Sequence, residues 1–329
     1  MAIFRCSKCG HIREVGKDYI GKNVKCPKCE SPSTIHDTVA FLKALISKYI
    51  EQSKELNQLR EDSNIEHIES GEYGNILLED VDIHNTDLLT QRNNLVPIKG
   101  WFEKRNIQVL LTPEAVDTTG FFDEIASLIG EKFDVLNYVT SQIKYIQNKG
   151  YTNVKIDLSK KNQKEIQQIT SFCKTLYDYS FVAKYFYQKK DKIIRLTLQT
   201  APKIREFFNG IWMEWYALIE VLDFFSSKDL MFTCSRNLNI TFSGNKSYEL
   251  DLFFLTEKGF PICIECKTGE FRHDIDKYLT LRKLLKIDKS QFVICVFGLS
   301  QEQARGMSSM YDLTFVNENG LTDYMQSIV

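Results

Sequence analysis

Four of the chain's nine cysteines fall within its first 29 residues, as Cys6-Ser7-Lys8-Cys9 and Cys26-Pro27-Lys28-Cys29, two Cys-x-x-Cys pairs sixteen residues apart. No other feature restricts the local fold so far, because each pair turns two sulfurs toward a common centre and a tetrahedral metal closes the set. Gly10 and Gly21 supply the backbone freedom such turns need, and Lys8 and Lys28 offset part of the charge of a four-thiolate site. Four thiolates leave zinc no open coordination position. Cys6, Cys9, Cys26 and Cys29 are therefore expected to hold a structural zinc that contributes folding energy and no chemistry. The remaining cysteines lie in apolar segments, the pattern of reduced thiols in a cytoplasmic protein.

Residues 1–35 carry seven Lys or Arg against Glu14, Asp18 and Glu30, so the module is basic. It resembles the short zinc ribbon at the N-terminus of many bacterial proteins, through Cys6-x-x-Cys9-Gly10, Tyr19-Ile20-Gly21-Lys22 and Val24-Lys25-Cys26-Pro27-Lys28-Cys29. Over residues 36–60, Val39, Leu42, Ile46, Ile50, Leu56 and Leu59 recur at mostly three- and four-residue steps, which predicts an amphipathic helix, packed on its own chain or paired with a second copy. Residues 61–95 read as a linker: between Glu51 and Thr90 eleven acids face only Lys54 and Arg60. Such a run is a solvated spacer or, more sharply, a competitor for a basic nucleic-acid groove.

At 329 residues the chain is long enough for two or three folded units, and 43% hydrophobic residues exclude a wholly disordered chain. With 42 basic and 43 acidic residues no global positive field draws it to nucleic acid, so any polyanion site is local. The longest apolar run, Phe292 to Leu299, is far short of the roughly 20 residues that span a bilayer, and the first residues lack a secretory apolar region. A soluble, cytoplasmic protein with no membrane partner is expected.

Residues 96–205 predict an α/β middle domain for sensing or targeting: a strand at Ile107–Leu111, helices at Phe121–Leu128 and Val135–Gln147, a strand at Val154–Leu158, a helix at Gln163–Tyr179, and a hairpin of Val182–Tyr187 with Ile193–Leu198. Helices followed by a basic-tipped hairpin also fit a winged helix. Residues 206–329 predict a helix at Ile211–Phe225, strands near Phe232–Phe242, Glu249–Leu255 and Phe260–Lys267, a helix from Asp274 to Leu285, then a strand, a helix and a short strand. The fold class is a multidomain α/β chain.

The chemistry concentrates in Glu249-Leu250-Asp251-Leu252-Phe253-Phe254-Leu255 and Pro261-Ile262-Cys263-Ile264-Glu265-Cys266-Lys267-Thr268-Gly269. Alternate strand residues share a face, so Glu265 and Lys267 project together while Ile264 and Cys266 project the other way. Charges among apolar neighbours are costly unless they pair or hold a metal. A short turn brings Asp251 toward Glu265, so two carboxylates and a lysine converge. That set suits phosphodiester hydrolysis assisted by magnesium or manganese; a structural ion-pair cluster is the plainer alternative.

These residues resemble the PD-(D/E)xK nuclease superfamily, with Asp251 as the first acid, Glu265-Cys266-Lys267 as the tripeptide, and Leu250 in place of the motif proline. The resemblance implies a restriction-endonuclease-like αβββαβ domain over 206–329, catalysis by Asp251, Glu265 and Lys267, and a metal held by Asp251, Glu265 and the Cys266 backbone carbonyl. A closer resemblance is to the nuclease domain fused to CARF sensors in CRISPR-associated effectors, through Gly210-Ile211-Trp212-Met213-Glu214, Glu249-Leu250-Asp251 and Ile264-Glu265-Cys266-Lys267-Thr268. It adds Glu214 as a further metal-site or water-orienting acid and implies a role in defence against foreign nucleic acid. Helix geometry agrees, since Glu214 heads the row Leu218, Val221, Leu222 and Phe225; the plainer role is to complement the helix dipole. Residues 97–200 show no Gly-rich nucleotide-binding turn, so regulation by a cyclic oligonucleotide does not carry over.

The function expected is thus a metal-dependent endonuclease acting on DNA or RNA, with a homodimer implied by the family. The alternative is a non-catalytic nucleic-acid or protein binding module on a degenerate nuclease fold. Asp274, Lys277 and Tyr278 are candidates for phosphate or water contacts, and His273 for a surface position. Lys160–Lys164, Lys189–Lys192 and Arg282–Lys289 are candidate phosphate-tracking clusters.

Overall fold

The structure, a computed structural model, describes residues 2–6, 8–9, 11–38, 95–110 and 120–329. The chain divides into two units, Met1–Glu72 and Tyr73–Val329. In the first, strands β1 (Ala2–Arg5), β2 (Ile12–Val15), β3 (Asn23–Lys25) and β4 (Pro32–Asp37) form an antiparallel sheet in the order β2-β1-β4-β3. Its core is only Ala2, Phe4, Cys6, Cys26 and Ile35. So little apolar area does not hold a module of this size together without a staple. Ala2 pairs with Asp37, so the module runs past the boundary expected at 35, and His36 and Asp37 are strand, not the start of a helix. The rest of the helix expected over 36–60, and the linker expected over 61–95 as far as residue 94, lie outside the described residues.

The second unit contains α1 (Val96–Glu103), β5 (Gln108–Leu110), α2 (Phe121–Glu131), α3 (Phe133–Asn148), β6 (Asn153–Asp157), α4 (Gln163–Asp178), β7 (Val182–Gln188), β8 (Ile193–Leu198), α5 (Pro202–Glu206), a π-helical turn at Phe207–Ile211, and α6 (Trp212–Ser227). It continues with β9 (Phe232–Phe242), β10 (Lys246–Thr256), β11 (Pro261–Thr268), α7 (Ile275–Leu285), β12 (Phe292–Phe297), α8 (Gln301–Met310), β13 (Thr314–Val316) and α9 (Leu321–Ile328). A six-stranded sheet runs β13-β12-β11-β10-β9-β5, and a separate antiparallel sheet runs β6-β8-β7. The α-β-β-β-α-β order expected after residue 206 is present. β9, β10 and β11 form an antiparallel meander, and β12 and β13 add in parallel, each reached through a helix.

Two boundaries differ from expectation. β5 pairs with β9, so α1 and β5 belong to the C-terminal sheet and not to a middle domain beginning at 96. The core of α2, α3, α4 and the three-stranded sheet runs into that of α6, β9 and β11 without a break, so residues 120–205 and 206–329 share one hydrophobic interior. Domains divided at 205 would each carry a core of their own.

The central sheet is buried on both faces, and the β9–β10 ribbon changes face along its length. Tyr248 and Leu250 join the core with α1 and α7, whereas Leu252 and Phe254 join the core on the α6 side. In a regular strand these alternate positions would share a face. The change falls at Asp251, opposite Asn237, whose φ of 54° is left-handed. Asn tolerates that region better than a β-branched residue does. The same change occurs on β9, with Phe232 and Cys234 on the α6 side and Leu238 and Ile240 on the other.

Candidate functional site

In the first unit Cys6 Sγ and Cys29 Sγ lie 3.4 Å apart, Cys9 Sγ and Cys26 Sγ 3.6 Å apart, and all four sulfurs lie within 4.8 Å of one another. A tetrahedron of thiolates at about 2.3 Å from zinc has edges near 3.8 Å, so the cluster has the size of a zinc site. Amides and sulfurs act in opposite directions within the cluster: the His11 amide favours the Cys9 thiolate, but Cys29, burial and Cys26 outweigh it and push that thiol up to about 12. The Lys28 amide donates to Cys26 Sγ over 3.4 Å, and the Cys9 amide, with that of Lys8, helps hold the Cys6 thiol down to about 6. All nine cysteines are free of disulfides, and the four clustered near the N-terminus are suited to a structural zinc.

The acidic constellation forms where β10 bends. Leu252 pairs with Ile264, which sets Asp251 beside Glu265 across the β10–β11 hairpin. Asp251 Oδ2 accepts the Cys266 backbone N–H at 2.7 Å and the Lys267 ammonium at 3.3 Å; Lys267 Nζ is also 3.7 Å from Glu265 Oε2. Glu265 is 1% exposed, and its Oε1 is buried without a hydrogen-bond partner. Burial, with the charge of Asp251 behind it, raises the Glu265 carboxyl to about 8 against the pull of Lys267 and Lys277. For Lys267 burial opposes the charge, but Asp251 and Glu265 outweigh it and hold the ammonium protonated more firmly than usual. The structure therefore brings Asp251, Glu265 and Lys267 together, with the backbone of Cys266 between them and its thiol buried in the core on the α6 side.

Glu214 reaches this group from the α6 side of the sheet. Its Oε2 is buried without a hydrogen-bond partner, and burial, then Asp251, raises its carboxyl to about 8 against Arg236 and Lys267. Among the described residues the four cysteines are the one set of three or more ligand groups gathered within 4.8 Å, so the three carboxylates do not close that tightly. Arg236 on β9 was not singled out from the sequence. Its guanidinium lies over the Trp215 ring at 3.6 Å and acts on Glu214. The available signal was that Arg236 is the one charged residue between Asp229 and Lys246.

The other candidates separate. Tyr278 is fully buried, its ring 6.0 Å from Lys267 Nζ, so it packs beneath the site. Lys277 is exposed and acts on Glu265 only through its charge, while His273 is on the surface. The Arg282–Lys289 cluster is partly structural: Arg282 donates to the Ile287 carbonyl at 2.9 Å and pairs with Asp312. In the Lys160–Lys164 cluster, Lys161 pairs with Glu165 at 2.8 Å in the capped first turn of α4. Among the described residues no helix is long and apolar enough to cross a membrane.

No protein-family model matches this chain, and no curated protein matches it by sequence. Among solved structures it is similar to protein VC1899 from Vibrio cholerae, at 16% identity and a TM-score of 0.48, over 70% of this chain and 60% of that one. The chain thus spans less than two thirds of the length of that protein.

Proposed function

We propose that the chain is a metal-dependent nuclease of the PD-(D/E)xK type, hydrolysing phosphodiester bonds in DNA or RNA. The observation that carries this reading is the convergence of Asp251, Glu265 and Lys267 at the bend of β10, with Glu265 Oε1 buried and unpartnered. A buried carboxylate oxygen with no donor is a costly group that a cation would satisfy. The donor set fits a hard cation: Asp251, Glu265 and the Cys266 backbone carbonyl all offer oxygen. Magnesium or manganese bound there would polarise the phosphate and make a bound water more acidic than bulk water.

The chain's own residues supply the rest. Lys267 Nζ, already facing both acids, orients the attacking water or neutralises charge growing on the phosphate. The Cys266 amide fixes Asp251 Oδ2, so that Asp251 keeps one orientation at the bend. Glu214, attracted by Arg236, orients water from the α6 side.

A second reading has one observation in its favour. Lys267 already pairs with both acids, so part of the cluster's charge is offset by the chain itself, as it would be in a non-catalytic binding module. Incubation of wild-type protein with Mg²⁺ or Mn²⁺ and plasmid, single-stranded DNA or RNA separates the two. The nuclease reading expects cutting that Asp251→Ala and Lys267→Ala each reduce by about 100-fold or more. Equal residual activity in all three proteins would assign any cutting to a contaminant and leave the binding module.

A further inference from the structure

The three-stranded sheet β6-β8-β7 buries one face and leaves the other open. Val154, Ile156, Ile194, Leu196 and Leu198 point into the core. On the opposite face, Lys155, Arg195 and Phe186 stand side by side as one row across the three strands, since Lys155 pairs with Arg195 and Arg195 with Phe186. The next row is Asn153, Thr197 and Lys184. Neighbouring strands are about 4.8 Å apart, so the first row sets two cations and an aromatic ring within about 10 Å. Phe186 is 60% exposed, an unusual position for a large aromatic in the middle of a strand.

The charges on this face are poised outward. Among the described residues none of Lys155, Lys184 and Arg195 has a carboxylate at ion-pair distance; Arg195 Nε is instead steered by Gln188 Oε1 at 2.9 Å. The β7–β8 turn adds Lys189, Lys190 and Lys192. Against these six cations stand Asp191 and Asp157; the Asp157 carboxylate accepts the Ser159 backbone N–H at 2.8 Å and is attracted by Lys155, so the face keeps a net excess of positive charge. In a chain whose net charge is −1, this is a local positive surface.

We infer that this open face binds single-stranded nucleic acid, with a base stacked on Phe186 and the phosphates tracked by Lys155, Arg195 and Lys184. An exposed aromatic set among cations combines the two devices such binding uses: a stacking platform that accepts any base, and a positive path for the backbone. Charge complementarity selects a polyanion over an apolar partner, and the ring selects unpaired bases over duplex. Phe186 and these cations lie on β6, β7 and β8 and share no residue with the acidic cluster on β10 and β11, so strand binding here does not require catalysis there.

Fluorescence anisotropy of the full chain with labelled oligo-dT, oligo-U and a duplex of equal length, without added Mg²⁺ or Mn²⁺, tests it. One or both single strands bind, more tightly than duplex, and log K falls against log salt with a slope of about −2 to −3, as three or four phosphate contacts require. Phe186→Ala weakens binding by about 5- to 100-fold and leaves the slope unchanged, while Phe186→Tyr restores the affinity. Lys155→Gln with Arg195→Gln flattens the slope. Circular dichroism melts establish that these surface variants fold. Failure of both single strands to bind, equal or tighter binding of duplex, or an unchanged affinity for Phe186→Ala would overturn the proposal. Concentration-dependent dimerisation lost in Phe186→Ala, with no nucleic-acid binding, would assign the face to a second copy. Cutting of plasmid that persists in Phe186→Ala would leave the nuclease reading intact in either case.

Discussion

Glu265 links stability to pH, because burial and Asp251 raise its carboxyl from 4.5 to about 8. The folded state holds its proton more tightly than the unfolded chain. Its contribution to stability is therefore complete below pH 4.5 and is lost as pH rises through about 8. In metal-free protein the Tm of the wild type relative to Glu265→Gln is expected to fall between pH 5 and pH 8; a difference that stays flat would contradict the burial argument. Ligation requires the ionised carboxylate, so added Mn²⁺ is expected to raise the wild-type Tm more at pH 8 than at pH 6. At this scale the sequence was informative for a physical reason. Isolated charges in the apolar runs Leu250–Leu255 and Ile262–Cys266 stand out because burying them is costly, and the structure brings Asp251, Glu265 and Lys267 to one place. Arg236 is a lone charge among polar neighbours, Ser235 and Asn237, and its value lies in residues of another element, Trp215 and Glu214, that no local spacing reveals.

Among the elements, those with strong local periodicity or turn chemistry were legible, and those held by distant contacts were not. The β7–β8 hairpin and α4 follow the pattern closely, and α4 opens on a capping box in which the Asn162 side chain accepts from the Glu165 N–H at 3.0 Å. The helix α1 was missed. Its eight residues include Pro97 and Gly100, and its position is set by Trp101 and Phe102 packing against Phe253 at 5.2 and 4.8 Å. The bend at Asp251 was also hidden, because it depends on Asn237 across the ribbon. Asn237→Val forces a β-branched residue to φ 54° and is expected to cost about 1–3 kcal/mol in a denaturant melt, whereas Asn237→Gly costs less. A loss equal for both variants would show that the left-handed backbone is not what fixes the bend. At the α2–α6 contact, a Cβ on Gly130 would lie 2.2 Å from the Tyr216 ring. Gly130→Ala is accordingly expected to destabilise by about 1–3 kcal/mol despite its better helix propensity, and a stabilised variant in the same melt would show that the two helices separate freely.

For the molecule as a whole, length and the order of predicted helices and strands indicated a multidomain α/β chain, and the structure refines how the parts divide. The Cys-x-x-Cys spacing located the small sheet and its four-sulfur cluster because metal geometry is local in sequence. The division at residue 205 was illegible because a core shared between 120–205 and 206–329 leaves no change in composition or linker to read. If the cysteines carry structural zinc, elemental analysis will find one zinc per chain, and Cys9→Ser with Cys26→Ser will reduce it to near zero; zinc retained in that variant would place the metal elsewhere. Anomalous scattering from a crystal of the full chain soaked in Mn²⁺ locates a bound cation without relying on activity. A manganese peak is expected within coordination distance of Asp251 and of the orphan Glu265 oxygen. Absence of a peak there, with Lys267 still paired to both carboxylates, would contradict the nuclease reading.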